Sequence, residues 1–203
     1  MRTFLAIEIP PAVHTVIRQT QQELETLSAA AHHGHAIRWT APAAVHLTVR
    51  FLGETTEEQR RQLQEGCLRL AARQKPFTLT VQEAGCFPNI QAPNIIWLGL
   101  QPADQTLLQL QVNMEQVAQA VGFAAEHKPF RPHLTIGRLR HTIERAQQRA
   151  IGQILVRALA TIQSSHAPTT AFVVTHIVHM QSQLEPTGAR YIPLQVFKFS
   201  EVA

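Results

Sequence analysis

One aspartate, Asp104, stands among the 14 acidic residues of this 203-residue chain; the other 13 are glutamates, and 11 histidines are set against them. With a single aspartate the chain cannot build an aspartate-based two-metal site, an EF-hand loop or an aspartic dyad. A Ser-His-Asp triad would have to use Asp104 or a glutamate in its place. Cysteine is also scarce. Cys67 and Cys86 lie 19 residues apart with no CxxC pair, which argues against a disulfide framework and a structural zinc site. Lysine is limited to Lys75, Lys128 and Lys198, so arginine carries the basic balance of +4. Such a balance permits an anionic substrate without demanding one, and the arginine excess also follows from genome composition. No apolar run reaches the length of a membrane span. The segment Met1 to Glu8 meets an acid and two prolines too early for a signal peptide. These absences read as a soluble protein of a reducing cytoplasm; separately, a monomer is expected.

What is present is a dense alternation of short elements. Phe4 to Ile9 reads as a buried strand stopped by Pro10 and Pro11, and residues 12–30 as a helix with Val13, Ile17, Leu24 and Leu27 on one face. Short strands follow at Ile37 to Trp39 and at His46 to Leu52, the latter ended by Gly53. Thr55 with Glu58 has the spacing of a capping box opening a helix to about Gln74, with Leu63, Cys67 and Leu70 inward. Strands are expected at Phe77 to Ala84 and Ile95 to Leu100, with Phe87 to Asn94 as a loop between them. Asp104 reads as the N-cap of a helix running to Val121 and closed by Gly122, which assigns the lone aspartate a structural task. A strand from His133 to Leu139, a helix over 143–163 and a closing hairpin complete the chain. The hairpin joins Ala171–Met180 to Tyr191–Phe199 around Pro186, Thr187 and Gly188. No glycine-rich phosphate loop and no strict βαβ rhythm are seen, so the reading is α+β with antiparallel or mixed sheets in one unit spanning 1–203.

One repeat carries chemistry. His46-Leu47-Thr48-Val49 recurs 87 residues later as His133-Leu134-Thr135-Ile136, each copy opening a strand after a proline-containing loop. Side chains at i and i+2 share a face of a strand, so each histidine points with its threonine while the aliphatic residues point to the core. If the two halves are related by a pseudo-twofold axis, two imidazoles and two hydroxyls surround one small site. Phosphodiester cleavage needs a base for the attacking oxygen and an acid for the leaving oxygen, and histidine serves either role near neutral pH. One copy alone would most simply be a packed or exposed histidine. Two copies in matching strands are harder to dismiss.

These paired motifs resemble those of the two-histidine (2H) phosphoesterase superfamily, and within it the LigT-like RNA 2′,3′-cyclic phosphodiesterases of bacteria and archaea. The resemblance extends from Arg2-Thr3-Phe4-Leu5-Ala6-Ile7-Glu8-Ile9-Pro10 through His46 to Gly53, Ile96-Trp97-Leu98-Gly99-Leu100 and Pro129 to Arg138, to Gly188-Ala189-Arg190-Tyr191. It implies a bilobal fold of two pseudo-symmetric lobes, sheets flanked by helices, around a central groove. It implies opening of RNA 2′,3′-cyclic phosphate ends, such as those of tRNA fragments, to 2′-phosphomonoesters without a metal or other cofactor. 2′-5′ RNA ligase activity would be the reverse reaction at the same site. His46 would be the general acid and His133 the general base. Thr48, Thr135 and Arg138 would hold the phosphate, and Phe51 would stack on the terminal base. Arg50 and Arg131 are further candidates for substrate contact.

Strict alternation conflicts with part of that assignment. It places Arg50 on the His46 face with Phe51 behind, and Gly137 on the His133 face with Arg138 behind. A bulge near Gly137 would re-aim Arg138. Of the other histidines, His32, His33 and His35 read as a solvated turn rather than a metal set. His14, His127, His141 and His166 read as surface, and of His176 and His179 at most one reaches the groove. Trp97 reads as packing, and Trp39 as packing or cleft lining. Two other readings remain open: an RNA-end-binding module without turnover, and a phosphodiesterase for another 2′-linked or cyclic nucleotide.

Overall fold

Hydrophobic alternation along the chain resolves into nine strands and four helices in a computed structural model, which describes residues 1–33, 35–164, 170–185 and 188–200. In chain order these are β1 (Arg2–Glu8), α1 (Pro11–Ala30), β2 (Ile37–Trp39), β3 (His46–Glu54), α2 (Glu57–Ala71), β4 (Phe77–Phe87) and β5 (Ile95–Pro102). They continue with α3 (Thr106–Ala120), β6 (His133–Leu139), α4 (Arg145–Ser164), β7 (Ala171–Val174), β8 (His176–Glu185) and β9 (Gly188–Lys198). The strands form one sheet in the order β7-β4-β5-β6-β3-β1-β8-β9, with β2 alongside β6 beyond the end of β3. The pairings are antiparallel. The expected strand Ala171–Met180 is broken at Thr175: β7 pairs with β4 at one edge, while β8 pairs with β1 and β9 near the other. A single residue joins strands at opposite ends of the order, so the sheet must curl back on itself.

The helices cover one face of this curled sheet, α1 packing on α4 and α2 on α3. Leu5, Ile7, Leu47, Val49, Leu134 and Ile136 point to that side and join Val13, Ile17, Leu24, Leu63, Leu110 and Met114 in the main core. Burying one such side chain contributes about 1.5–3 kcal/mol, which drives helix against sheet. The opposite face carries a smaller apolar cluster of Phe4, Ala6, Val178 and Met180 under Tyr191. No helix among the described residues is long and apolar enough to cross a membrane.

Several local expectations shift by a residue for identifiable reasons. The capping box belongs to Thr56 and Gln59, because the Thr55 hydroxyl is already engaged with Thr3 (2.7 Å) and the Gly53 carbonyl (3.1 Å). On α1 it is Ser28, not Leu27, that turns inward. The N-cap of α3 is Gln105 rather than Asp104, which stands one residue earlier and accepts the Thr106 amide at 2.8 Å, satisfying a free N–H at the start of the helix. Gly122 takes a positive φ of 92° after that helix, a conformation glycine adopts at little cost. Gly34, His166, Pro186 and Thr187 lie outside the described residues.

Candidate active site

The two His-Leu-Thr motifs meet at their middle residues. A single bridge, Leu47 to Leu134, joins β3 to β6. Antiparallel counting from it sets His46 against Thr135 and Thr48 against His133, with all four side chains on the face away from the helices. The expectation that matching strands bring the two motifs together is realised by direct strand pairing.

The repeat extends to the orientation of the rings. His46 Nδ1 lies 3.0 Å from the Ala44 carbonyl, and His133 Nδ1 lies 2.6 Å from the Arg131 carbonyl. A carbonyl oxygen only accepts, so each Nδ1 carries a proton and each Nε2 is left for chemistry. Ala44 and Arg131 are themselves 87 residues apart. Aromatic rings hold the imidazoles in place. Phe4 stacks on His46 at 4.8 Å and Tyr191 meets it edge-on at 4.7 Å; Phe87 meets His133 edge-on at 5.0 Å, with Trp97 at 6.5 Å. Phe4, Tyr191 and Phe87 were not singled out as site residues by sequence reasoning, and Trp97 was assigned to packing. Their signal is positional: Trp97 and Phe4 sit on the strands flanking β6 and β3, opposite Thr135 and Phe51.

Burial lowers the pKa of both imidazoles below the usual histidine value. For each, the backbone carbonyl pulls the other way and a nearby cation adds to the lowering: protonated His133 acts on His46, and Arg138 acts on His133. A charge on His133 therefore disfavours a charge on His46. For His133 the added cation is the Arg138 guanidinium, which favours the neutral form of that ring.

Two β-bulges decide which further residues join the site. Along β1, Ala6 faces Thr48 and Leu5 faces Arg50, so Val49 is the extra residue of β3. Along β5, Trp97 faces Thr135 and Ile96 faces Gly137, so Ile136 is the extra residue of β6. The bulges fall at equivalent positions of the repeat, and each reverses the alternation after its threonine. Val49 and Arg50 therefore both turn to the helix side, as do Ile136 and Gly137, while Phe51 and Arg138 return to the groove face. Phe51 is 61% exposed with its ring 6.1 Å from Phe4, and Arg138 is exposed. The expected re-aiming of Arg138 is thus realised, and Phe51 is re-aimed with it. Arg50 is corrected as a substrate-contacting candidate. It is buried on the far side, paired with Glu115 of α3 and donating to the carbonyls of Phe51 and Ala124. Gly137 has no side chain where Trp39 packs, 2.9 Å from the position a Cβ would take, which puts Trp39 in the core rather than the cleft.

The bulge at Ile136 is clamped from behind. Its carbonyl accepts the Thr40 amide at 2.9 Å and the Gln21 side-chain amide at 2.8 Å, and Gln21 also donates to the Thr40 carbonyl at 2.7 Å. Gln21 is buried in the apolar face of α1. A glutamine at a core-facing helical position was the available signal for this role.

A cavity flanks each histidine. One of about 540 Å³ lies beside His133 between Phe87, Trp97, Phe130 and Arg131. The other, about 580 Å³, lies beside His46 with Glu8, His14, Arg190 and Tyr191 in its wall. Arg131 lines the cavity beside His133 and holds that ring through its carbonyl. His14, expected at the surface, lines the second cavity because α1 starts directly after β1. His176 contacts Glu8 at 3.2 Å near the same cavity, whereas His179 is fully buried behind the sheet. Among the described residues no three His, Cys, Asp or Glu side chains converge as a metal-binding set.

Two imidazoles and two hydroxyls of the repeat, with one exposed guanidinium, are thus gathered on one face of β3 and β6. Comparison with known proteins agrees: the chain belongs to the LigT-like phosphoesterase family of the two-histidine superfamily. The family model matches it twice in succession, over residues 7–97 and 98–191, each match holding one of the two motifs. Among curated proteins, the RNA 2′,3′-cyclic phosphodiesterase of Thermotoga maritima is 28% identical over 98% of this chain and 96% of its own. That of Methanothermobacter thermautotrophicus is 24% identical over 98% of each. Among solved structures, TT0787 of Thermus thermophilus has a TM-score of 0.76 at 23% identity, covering 99% of both chains. Escherichia coli LigT complexed with 3′-AMP has a TM-score of 0.66 at 24% identity, covering 98% of this chain and 97% of that one.

Proposed function

We propose that this protein hydrolyses RNA 2′,3′-cyclic phosphate ends to 2′-phosphomonoesters. The observation that carries this is the pair of imidazoles on one sheet face, each held by a carbonyl two residues back, with different charge surroundings. In the reaction His133 Nε2 takes a proton from a water that attacks phosphorus. The P–O3′ bond breaks, and His46 Nε2–H protonates the departing O3′, leaving a 3′-hydroxyl and a 2′-phosphate. The next turnover needs the proton moved from His133 back to His46 through solvent. Thr48 and Thr135 hydroxyls donate to the non-bridging oxygens, and Arg138 balances the charge that builds there. Phe51 offers its exposed ring to the terminal base.

The charge surroundings of the two rings support this assignment of roles. Burial and then Arg138 favour the neutral form of His133, the form a base needs. An anionic phosphate arriving between the rings favours the protonated form of His46. Each positioned acid or base contributes about 10²–10⁴-fold, which is enough to open a strained five-membered ring phosphate. The names of the relatives support RNA ends as the substrate class. The test is an oligonucleotide ending in 2′,3′-cyclic phosphate, incubated with the protein in EDTA, with the 2′- and 3′-phosphate products separated. Formation of the 2′-phosphate is expected. A 3′-phosphate product would reverse the assumed leaving group, and no product would refute the reading.

A further inference from the structure

The repeat that aligns the two histidines breaks at the flanking strands. Phe4 on β1 is paired across from Phe51, and Ile95 on β5 across from Arg138. Phe51 and Arg138 each stand five residues after their histidine, so Phe4 and Ile95 hold matching places in the two halves. Of the two, Phe4 alone offers an aromatic face. Its ring stacks on His46 with centroids 4.8 Å apart and planes 27° from parallel. His133 has no stacked ring among the described residues; Phe87 meets it at 88° and Trp97 at 62°. Phe4 is 2% exposed, and Tyr191 stands perpendicular to both members of the stack, 5.3 Å from Phe4 and 4.7 Å from His46. The contact is therefore shielded from water. The face of a phenyl ring carries negative charge and attracts a cation within about 6 Å of its centroid, more strongly where water is excluded. An imidazolium gains from that face what a neutral imidazole does not.

We infer that Phe4 is a positioning residue whose stacked face keeps the proton on His46, and so makes His46 rather than His133 the acid of the pair. The inference rests on the RNA-end reading above and deepens its assignment of roles. The charged and titratable groups around His46 do not replace this contact. Glu8 of β1 stands across from His46 and favours its proton, but that carboxylate is engaged with His176 of β8 at 3.2 Å. On β6, protonated His133 and the guanidinium of Arg138 both oppose a charge on His46. His14 of α1 and Arg190 of β9 line the cavity beside His46 and add positive charge there when protonated; Arg190 is paired with Glu185 at 3.7 Å. Tyr191 of β9 supplies the perpendicular contact. The Phe4 face works against both burial and these cations, and nothing at Ile95 does the same for His133.

The test replaces Phe4 in the full chain with mono-, di- and pentafluorinated phenylalanine, installed at that codon alone. Fluorine drains the negative face while leaving the shape of the ring nearly unchanged. In the unliganded protein, the NMR titration midpoint of His46 should fall stepwise with fluorine number, by about half to one pH unit over the series, the size of one shielded cation–π contact. The midpoint of His133 should stay with the parent's. In profiles of kcat/KM against pH on a nucleoside 2′,3′-cyclic phosphate, the alkaline limb, which the acid sets, should follow His46 while the acid limb holds. Phe4→Leu keeps the apolar bulk without a π face and should move the same limb about as far as the pentafluorinated ring does. A His46 midpoint indifferent to fluorination, or equal shifts of both histidines, overturns the assignment of Phe4 and leaves the cyclic phosphodiesterase reading intact. An acid limb that follows His46 would make His46 the base and overturns it as well. If the unaltered protein turns over no cyclic ester, that reading and this one fall together.

Discussion

Replacing Gln21 with glutamate tests whether a buried clamp behind the sheet aims Arg138 into the groove. The side chain is 8% exposed, and its amide donates to the carbonyls of Thr40 and Ile136 at 2.7 and 2.8 Å. Ile136 is the extra residue whose insertion turns Arg138 to the His133 face. Glutamate has the same shape but no donor, so three acceptors would converge in a dry pocket. Losing two hydrogen bonds at about 1 kcal/mol each, and leaving a buried carboxylate facing carbonyls, puts the cost at about 3 kcal/mol or more. For a chain of this size that is a fall in Tm of about 6–12 °C at pH 7.5. The sign of the pH dependence is distinctive. The buried carboxyl would have its pKa raised on folding, so the folded state holds the proton over a window starting near the unfolded value of about 4.3. Stability relative to the unaltered protein then declines as pH rises through that window and partly recovers in acid. Gln21→Leu, which loses the bonds without adding charge, should cost about 2 kcal/mol with no such pH dependence. On a cyclic phosphate ester both variants should raise KM more than they lower kcat, because Arg138 is displaced while the imidazoles keep their own carbonyls. Thermal melts over pH 4.5–8 and steady-state kinetics read both effects. A Gln21→Glu protein melting within about 1 °C of the parent at pH 7.5 would refute the clamp, since even a third of the expected cost exceeds that.

Other outcomes follow from the same geometry. His46→Ala and His133→Ala should each reduce kcat by about 10²–10⁴-fold with the circular dichroism spectrum retained, and the double variant should lose far less than the product of the two. The profile of kcat/KM against pH should be a bell. Because burial lowers both imidazole values, both limbs should lie on the acid side of where free histidines would place them, and Arg138→Met should move the acid limb upward by removing the cation that keeps His133 neutral. His179 is fully buried, with burial and then Arg60 driving its pKa down to about 4. Its folded value lies below the unfolded one, so stability is fully present above about 6.5 and is lost as pH falls toward 4, by about 3 kcal/mol in all. His179→Leu should flatten that acid slope in urea titrations at pH 4 and pH 7. Arg50→Met should strand Glu115 in a largely buried position and cost about 3–5 kcal/mol in denaturant melts. Phe51→Ala should leave the melt near the parent's while raising KM. The reverse pattern for these two residues would mean the β3 bulge is misplaced.

Much of this was legible along the chain. The 87-residue echo, its threonines, the helix faces built on Val13 and Ile17 or Leu63 and Cys67, and a local structural bond for Asp104 at the start of α3 are all local patterns. The period of hydrophobicity and the reach of a side chain to its own backbone decide them within a few residues. What depends on a partner strand was not legible. Alternation along His46 to Phe51 selects Arg50 for the groove. Only the register against Ala6 and Leu5 inserts Val49 as an extra residue and exchanges Arg50 for Phe51. The same exchange of Gly137 for Arg138 arises from pairing with Ile96 and Trp97, about forty residues upstream in sequence. Likewise Glu115, which neutralises Arg50, and Gln21, which holds the Ile136 carbonyl, reach their partners from 65 and 115 residues away. Alternation belongs to one strand and can be read from its residues. A bulge belongs to a pair of strands, and which side chains meet the substrate was therefore decided by the tertiary structure.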